Sequence, residues 1–215
     1  MKHNVDKILL FTLAACPTGR SMSQVLGELH ERYPELATQI YYTEVHIAET
    51  NHYRIKQNPT LLFLSKEGKE LSRLEGFHET EAVETHLHQL EEGTVGQEVP
   101  PGENVATLEK YSLHLYKEAQ LQALEVEYLN PTGVKAPRIT AIQLQLTTQK
   151  PGLINPFPEG TKLELVQFDG AKGCIYLQMD QPVTDQQLER MKRALQATLK
   201  PFGIEEIEVQ VNQNA

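Results

Sequence analysis

The longest apolar stretch of the chain, Ile8 to Cys16, holds nine residues and is stopped by Cys16-Pro17-Thr18-Gly19. A helix crossing a bilayer needs about twenty such residues. No transmembrane segment is therefore expected, and a run of this length rich in Ile, Leu and Phe fits a buried strand. Past the cysteine-proline break, Met22, Val25, Leu26, Leu29 and Tyr33 recur at helical spacing until Pro34 closes the helix.

Composition narrows the class further. The chain has 215 residues, 40% hydrophobic and 23% charged, which is ordinary for a folded protein and too apolar for disorder. At about 150 residues per domain its length corresponds to about 1.4 domains, so to one large or two small ones. Twenty basic against 29 acidic side chains leave a net charge of −9. Nucleic-acid and anionic-membrane binders need positive potential, so neither partner is expected. Residues 1–95 carry 9 of the basic and 14 of the acidic groups, so the acidity forms no separate tail. Two cysteines, Cys16 and Cys174, are too few for a disulfide framework or a tetrahedral zinc site.

Further elements follow from pattern. Ile40 to Ile47 is β-branched and aromatic and predicts a strand, and Glu49 to Gln57 a short helix or turn. Pro59 precedes the apolar strand Thr60 to Ser65. Lys66-Glu67-Gly68-Lys69 turns it into Glu70 to Leu74, ended by Gly76. Ala82, Val83, His86, Leu87 and Leu90 give an amphipathic helix. The order is β-α-β-α-β-β-α.

This segment resembles the thioredoxin-like superfamily over residues 5–92. A strand runs into a cysteine-proline loop at a helix start, and about forty residues later RIKQNPTLLFLSKEGKELSRLEGF resembles the family's cis-proline, hairpin and terminal helix. In that family the first cysteine of Cys-x-x-Cys attacks a substrate disulfide and the second resolves the mixed disulfide. The resemblance assigns the first role to Cys16, where a helix N-terminus favours thiolate. Gly19 stands at the second position, Leu10 at that of the family's buried acid, and Ala15 at that of its tryptophan. A two-cysteine cycle is not available in such a loop. Pro17, Thr18, Gly19, Arg20, Asn58, Pro59 and Thr60 are the residues expected to meet a protein or peptide partner. Arg20 could hold a thiolate or face solvent, and Pro59, if cis, would offer its neighbouring backbone to an extended chain.

Other polar residues carry less. His3, His30, His46, His52, His78, His86 and His88 crowd the first ninety residues, but none pairs at the i, i+4 spacing of a helical zinc site. His86 and His88 point to different sides of their helix. No metal and no cofactor are expected. The glutamates at 28, 31 and 35 and at 79, 81 and 84 read as solvated helix faces. The glycines form no phosphate-binding loop.

Residues 94–107 are rich in Gly and Pro and read as a linker between a 1–93 domain and a 108–215 domain. Tyr111 to Lys117 and Leu124 to Leu129 alternate as strands, and Asn130-Pro131-Thr132-Gly133 makes a turn after them. Strands are also expected over Lys162 to Phe168, Cys174 to Met179 and Ile204 to Val211. Leu188, Met191, Leu195, Leu199 and Phe202 mark a helix with Thr184 or Asp185 as cap. Ile139 to Gln149 alternates locally as a strand does. Cys174 is expected to be a buried small hydrophobe beside Ile175.

This half resembles the GerMN domain of spore-germination, sporulation and other bacterial envelope proteins. The residues that carry the likeness are GLINPFPEGTKLELVQFDGAKGCIYLQM and the terminal IEEIEVQVN. The family carries a helix ahead of that block, so the resemblance implies a helix over 139–149, in a small α+β assembly module without known chemistry.

The whole is read as an α/β chain: a thioredoxin-like domain followed by a GerMN-like one, acting as a non-catalytic binding and assembly protein in the cytoplasm. The alternative is a monothiol redox protein forming mixed disulfides through Cys16, with an external thiol as cosubstrate. A third reading uses Leu13-Ala14-Ala15-Cys16 as a lipoprotein cleavage site with Cys16 lipidated. Asp6 in the leader opposes it, and cleavage would remove the central strand of the thioredoxin-like sheet.

Overall fold

A computed structural model of the protein describes residues 5–95 and 106–213. The chain divides into two compact units.

In the first, the order is β1 (Lys7–Thr12), α1 (Pro17–Arg32), β2 (Ala37–Tyr42), α2 (Ile47–His52), β3 (Thr60–Leu64), β4 (Glu70–Glu75) and α3 (Thr80–Glu91). The sheet order is β2-β1-β3-β4. β1 runs parallel to β2, with Lys7 opposite Ala37, and antiparallel to β3, with Lys7 opposite Leu64. β3 and β4 are antiparallel. The apolar run of the sequence is thus an inner strand, and alternation divides it between two cores. Ile8 and Leu10, with Leu61 and Phe63, meet Met22, Val25, Leu26 and Leu29 of α1 and Val83, Leu87 and Leu90 of α3. Leu9 and Phe11, with Leu62 and Leu64, form a second cluster with Ile55 and Val134.

Two expectations need correction. β2 covers Ala37–Tyr42 instead of Ile40 to Ile47. The Thr43 amide still donates to the Thr12 carbonyl at 2.9 Å, but the amides of Val45 and His46 then turn back onto the Tyr42 carbonyl. The chain leaves the sheet there, and α2 starts at Ile47. The first unit is also not one continuous stretch. It comprises Met1–Thr107 and Asn130–Lys135. Asn130 shapes the returning turn, its Oδ1 accepting the Thr132 amide and its Nδ2 donating to the Val134 carbonyl. Asn51 Nδ2 donates to the Pro131 carbonyl at 2.9 Å, and Val134 is buried in the second cluster. Of the expected linker 94–107, residues 96–105 lie outside the described residues.

The second unit, Leu108–Leu129 with Ala136–Ala215, has α+β architecture. Its elements are β5 (Thr107–Lys117), β6 (Gln120–Asn130), α4 (Pro137–Thr147), β7 (Lys162–Asp169), β8 (Lys172–Met179), α5 (Asp185–Leu199), a 3-10 turn and β9 (Glu206–Gln213). β5 and β6 make a two-stranded sheet, and β8 lies between antiparallel β7 and parallel β9. Segment 139–149 falls largely in helix α4, whose buried Ile139, Ile142 and Leu146 follow a helical period. The buried Gln145 explains the misleading alternation. Its Oε1 accepts the His114 amide and the Thr198 hydroxyl, and its Nε2 donates to the His114 carbonyl. Thr184 caps α5 in a capping box with Gln187.

Candidate functional site

The topology brings four loops to one edge of the first sheet. β1 and β2 end there, β3 begins there, and β4 ends there, because β3 opposes β1 and β4 opposes β3. Cys16 follows β1 and is the N-cap of α1, with extended backbone and Pro17 opening the helix. Its amide donates to the Leu13 carbonyl at 3.1 Å, and its carbonyl accepts the Arg20 amide. Cys16 is 9% exposed.

Asn58 and Pro59 lie against this turn. Asn58 Oδ1 accepts both the Thr12 hydroxyl and the Leu13 amide at 2.9 Å. The Asn58–Pro59 bond is cis, and the Pro59 carbonyl accepts the Gly76 amide at 2.8 Å. The Thr60 hydroxyl donates to the Gln57 carbonyl. Among the described residues the Asn58 backbone enters no backbone–backbone hydrogen bond. The structure thus joins Cys16 to Asn58, Pro59 and Thr60 through Thr12 and Leu13. Pro17 and Thr18 are half-buried, Gly19 is buried, and Arg20 is exposed.

Gly19 has a steric reason. A Cβ on it would stand 1.7 Å from Thr12 Oγ1 and 2.8 Å from Thr12 Cβ, closer than real side chains come. Leu10, at the position of the family's buried acid, is fully buried in the α1-facing core.

Several residues at this edge carry no signal in the sequence. Glu44 Oε1 accepts the Ala14 amide at 2.8 Å, while its Oε2 is buried without a partner among the described residues. Val45, beside it, is 69% exposed. Phe77 is 47% exposed and sits between Gly76, bonded to Pro59, and His78, whose amide donates to Met22 Sδ. Tyr42 and Ile47, before and after Val45 in the chain, are also exposed. An exposed apolar residue next to a turn is commonplace in a sequence, and only the strand directions show that these share an edge.

The histidines act as local partners. His46 Nδ1 lies against the Tyr42 backbone, His86 Nε2 bonds the Ser72 hydroxyl at 2.9 Å, and His88 Nε2 bonds the Tyr33 hydroxyl. Burial holds the His86 imidazole below its ordinary pKa, with His78 adding to the effect. Among the described residues no three His, Cys, Asp or Glu side chains gather as a metal would require.

Cys174 departs from expectation. It is half-exposed, because Ile175, Leu177 and Met179 take the buried face of β8 and alternation turns Cys174 to the other. There it lines a shallow groove of about 340 Å³ with Gln167, Lys172 and Glu208.

The strand order β2-β1-β3-β4, with β1 parallel to β2 and antiparallel to β3, β3 antiparallel to β4, and a helix-capping cysteine after β1, decides the architecture. The first unit has a thioredoxin-like fold. Among solved structures, this thioredoxin-like unit is similar to mitochondrial thioredoxin 3 of Saccharomyces cerevisiae in its oxidised form, at 17% identity and TM-score 0.36 over 40% of this chain and 81% of that one. It is similar to a chloroplastic thioredoxin z at 20% identity and TM-score 0.38, over 42% and 81%. Thioredoxin O2 of Arabidopsis thaliana, oxidised, aligns at 24% identity and TM-score 0.34, over 41% and 76%. No family model and no curated protein matches the chain. Among the described residues no helix is long and apolar enough to cross a membrane.

Proposed function

We propose that the thioredoxin-like unit is a binding module that takes an extended protein or peptide segment along the edge between Cys16 and Pro59. The observation that carries this reading is what the edge offers to solvent. Val45 and Phe77 stand out from it, whereas Cys16 is nearly covered. Exposed apolar groups bind by burial, which needs no thiol chemistry. The Asn58 amide and carbonyl would pair with the visiting backbone, and Pro17, Thr18, Arg20, Pro59 and Thr60 would surround it. No cofactor enters this reading. The second unit would be an assembly module of the GerMN kind, and the chain would work in the cytosol, where free thiols such as Cys16 and Cys174 persist. Lipidation of Cys16 fits poorly, since cleavage before it would remove β1 from between β2 and β3.

A monothiol reading is favoured by one observation: Cys16 is the N-cap of α1, the end of the helix where backbone N–H groups lack intrahelical partners. It would form mixed disulfides released by an external thiol. One experiment separates the two. Peptides selected from a random displayed library against the full chain should lose about tenfold in affinity, or 1.4 kcal/mol, on Val45→Asp or Phe77→Asp. Cys16→Ser should leave binding unchanged. Loss of binding on Cys16→Ser, with a trapped mixed disulfide in the parent protein, would establish the monothiol reading instead.

A further inference from the structure

We infer that Thr12 occupies the place of a second thiol and thereby restricts the Cys16 loop to a single cysteine. In the first turn of a helix the side chain that meets residue 16 is three positions on, at about 5–6 Å between Cβ atoms. A disulfide needs the two Cβ atoms drawn somewhat closer than that, which the non-helical N-cap backbone of Cys16 allows, and three positions is the spacing of Cys-x-x-Cys. Position 18 faces elsewhere, and the Arg20 side chain is exposed. Position 19 is therefore where an intraloop partner would have to stand.

Backbone conformation does not reserve that position for glycine, for Gly19 lies inside α1 and is absent from the positive-φ residues. The obstacle is Thr12. Its Oγ1 would be 1.7 Å from any Cβ at 19, and its own Cβ 2.8 Å away. The hydroxyl is held by its bond to Asn58 Oδ1. Swinging it aside leaves the Thr12 Cβ contact in place. Thr12 itself is held in register, paired with Tyr42 in the sheet and accepting the Thr43 amide. The same threonine thus ties the loop to Asn58 and closes position 19 to a side chain. Thr12 is here a positioning residue, and the inference concerns the loop's chemistry, independent of peptide docking.

The test uses the full chain carrying Cys174→Ser, with Gly19→Cys alone and with Thr12→Gly added. Oxidised glutathione is the oxidant: two thiols lose two protons and two electrons, and each oxidised glutathione leaves as two reduced molecules. Unreacted thiols are alkylated and the 16–19 disulfide is counted by peptide mass. The double variant should form about tenfold more of it than Gly19→Cys alone. Equal yields, or none in a folded double variant, overturn the inference. Should either variant not fold, a melting cycle decides. Gly19→Ala should lower the melting temperature beside Thr12 and be tolerated beside Thr12→Gly, whereas equal losses in both backgrounds overturn it. Disulfide yield reads this inference and peptide retention reads the docking reading, so either can fail alone.

Discussion

Arg73 grips Glu70 with two parallel bonds, Nε to Oε1 at 2.6 Å and Nη2 to Oε2 at 2.7 Å, and Nη2 also donates to the Tyr53 carbonyl at 3.0 Å. Both side chains are largely covered, at 16% and 9% exposure. A covered, bidentate pair of this kind costs most when one member is removed, because the other charge is left without a partner. Arg73→Ala is expected to cost about 3 kcal/mol in a denaturant titration. Replacing both members, Arg73→Met with Glu70→Leu, should recover most of that loss. A double replacement as damaging as the single one would refute this account.

Two glycines in α1 should respond oppositely to alanine. A Cβ on Gly27 would meet nothing within 4 Å, whereas one on Gly19 collides with Thr12. Gly27→Ala is expected to stabilise by about 0.5–1 kcal/mol through helix propensity alone. Gly19→Ala should destabilise the protein despite the same propensity gain. Thermal melts of the two variants side by side check the signs.

Acid should weaken both units through histidine. Burial lowers the pKa of His86 in the first unit and of His114 in the second, where Glu125 partly opposes the effect. A lowered folded pKa means that the unfolded chain binds the proton more readily. Stability is then full above the ordinary histidine value of about 6.5 and falls as pH drops through the folded values. Melting temperatures measured from pH 8 to 5 should decline on the acid side, and His86→Gln should flatten that decline. An unchanged slope in the variant would assign the decline to other groups.

Val134 belongs to the first unit's core although it follows β6. Val134→Asp should therefore destabilise the thioredoxin-like unit by about 3 kcal/mol or more, as an unpaired buried charge does. Amide exchange in β1 and β3 would report it. Protection unchanged at Leu9 and Leu62 would show that the contact contributes nothing.

Where local pattern and tertiary demand agree, the sequence was legible. The buried face of α1 at Met22, Val25, Leu26 and Leu29 was readable from spacing, and so was the apolar strand after Pro59. The limits of β2 were not, because Val45 and Ile47 continue an apolar alternation past the point where the chain turns off the sheet. Cys174 differs from its sequence pattern for a related reason: a cysteine in a strand reads as buried until its neighbours fix which face it takes. At the candidate site, Cys16 and Pro59 could be named from the family resemblance. Thr12, Glu44, Val45 and Phe77 could not, because their importance comes from which loops share an edge and how closely a helix approaches a strand.

The returning turn at Asn130–Lys135 also bears on synthesis. Leu9 and Phe11 leave the ribosome early, yet Val134, part of the cluster that buries them, is made some forty residues after α3 is complete. At about 5–20 residues per second, roughly 2–9 s separate the completion of α3 from the arrival of that last piece. During that interval an apolar face of the sheet is incompletely covered. Exposed apolar surface of this kind favours aggregation, and a ribosomal pause between residues 95 and 135 would lengthen the exposure.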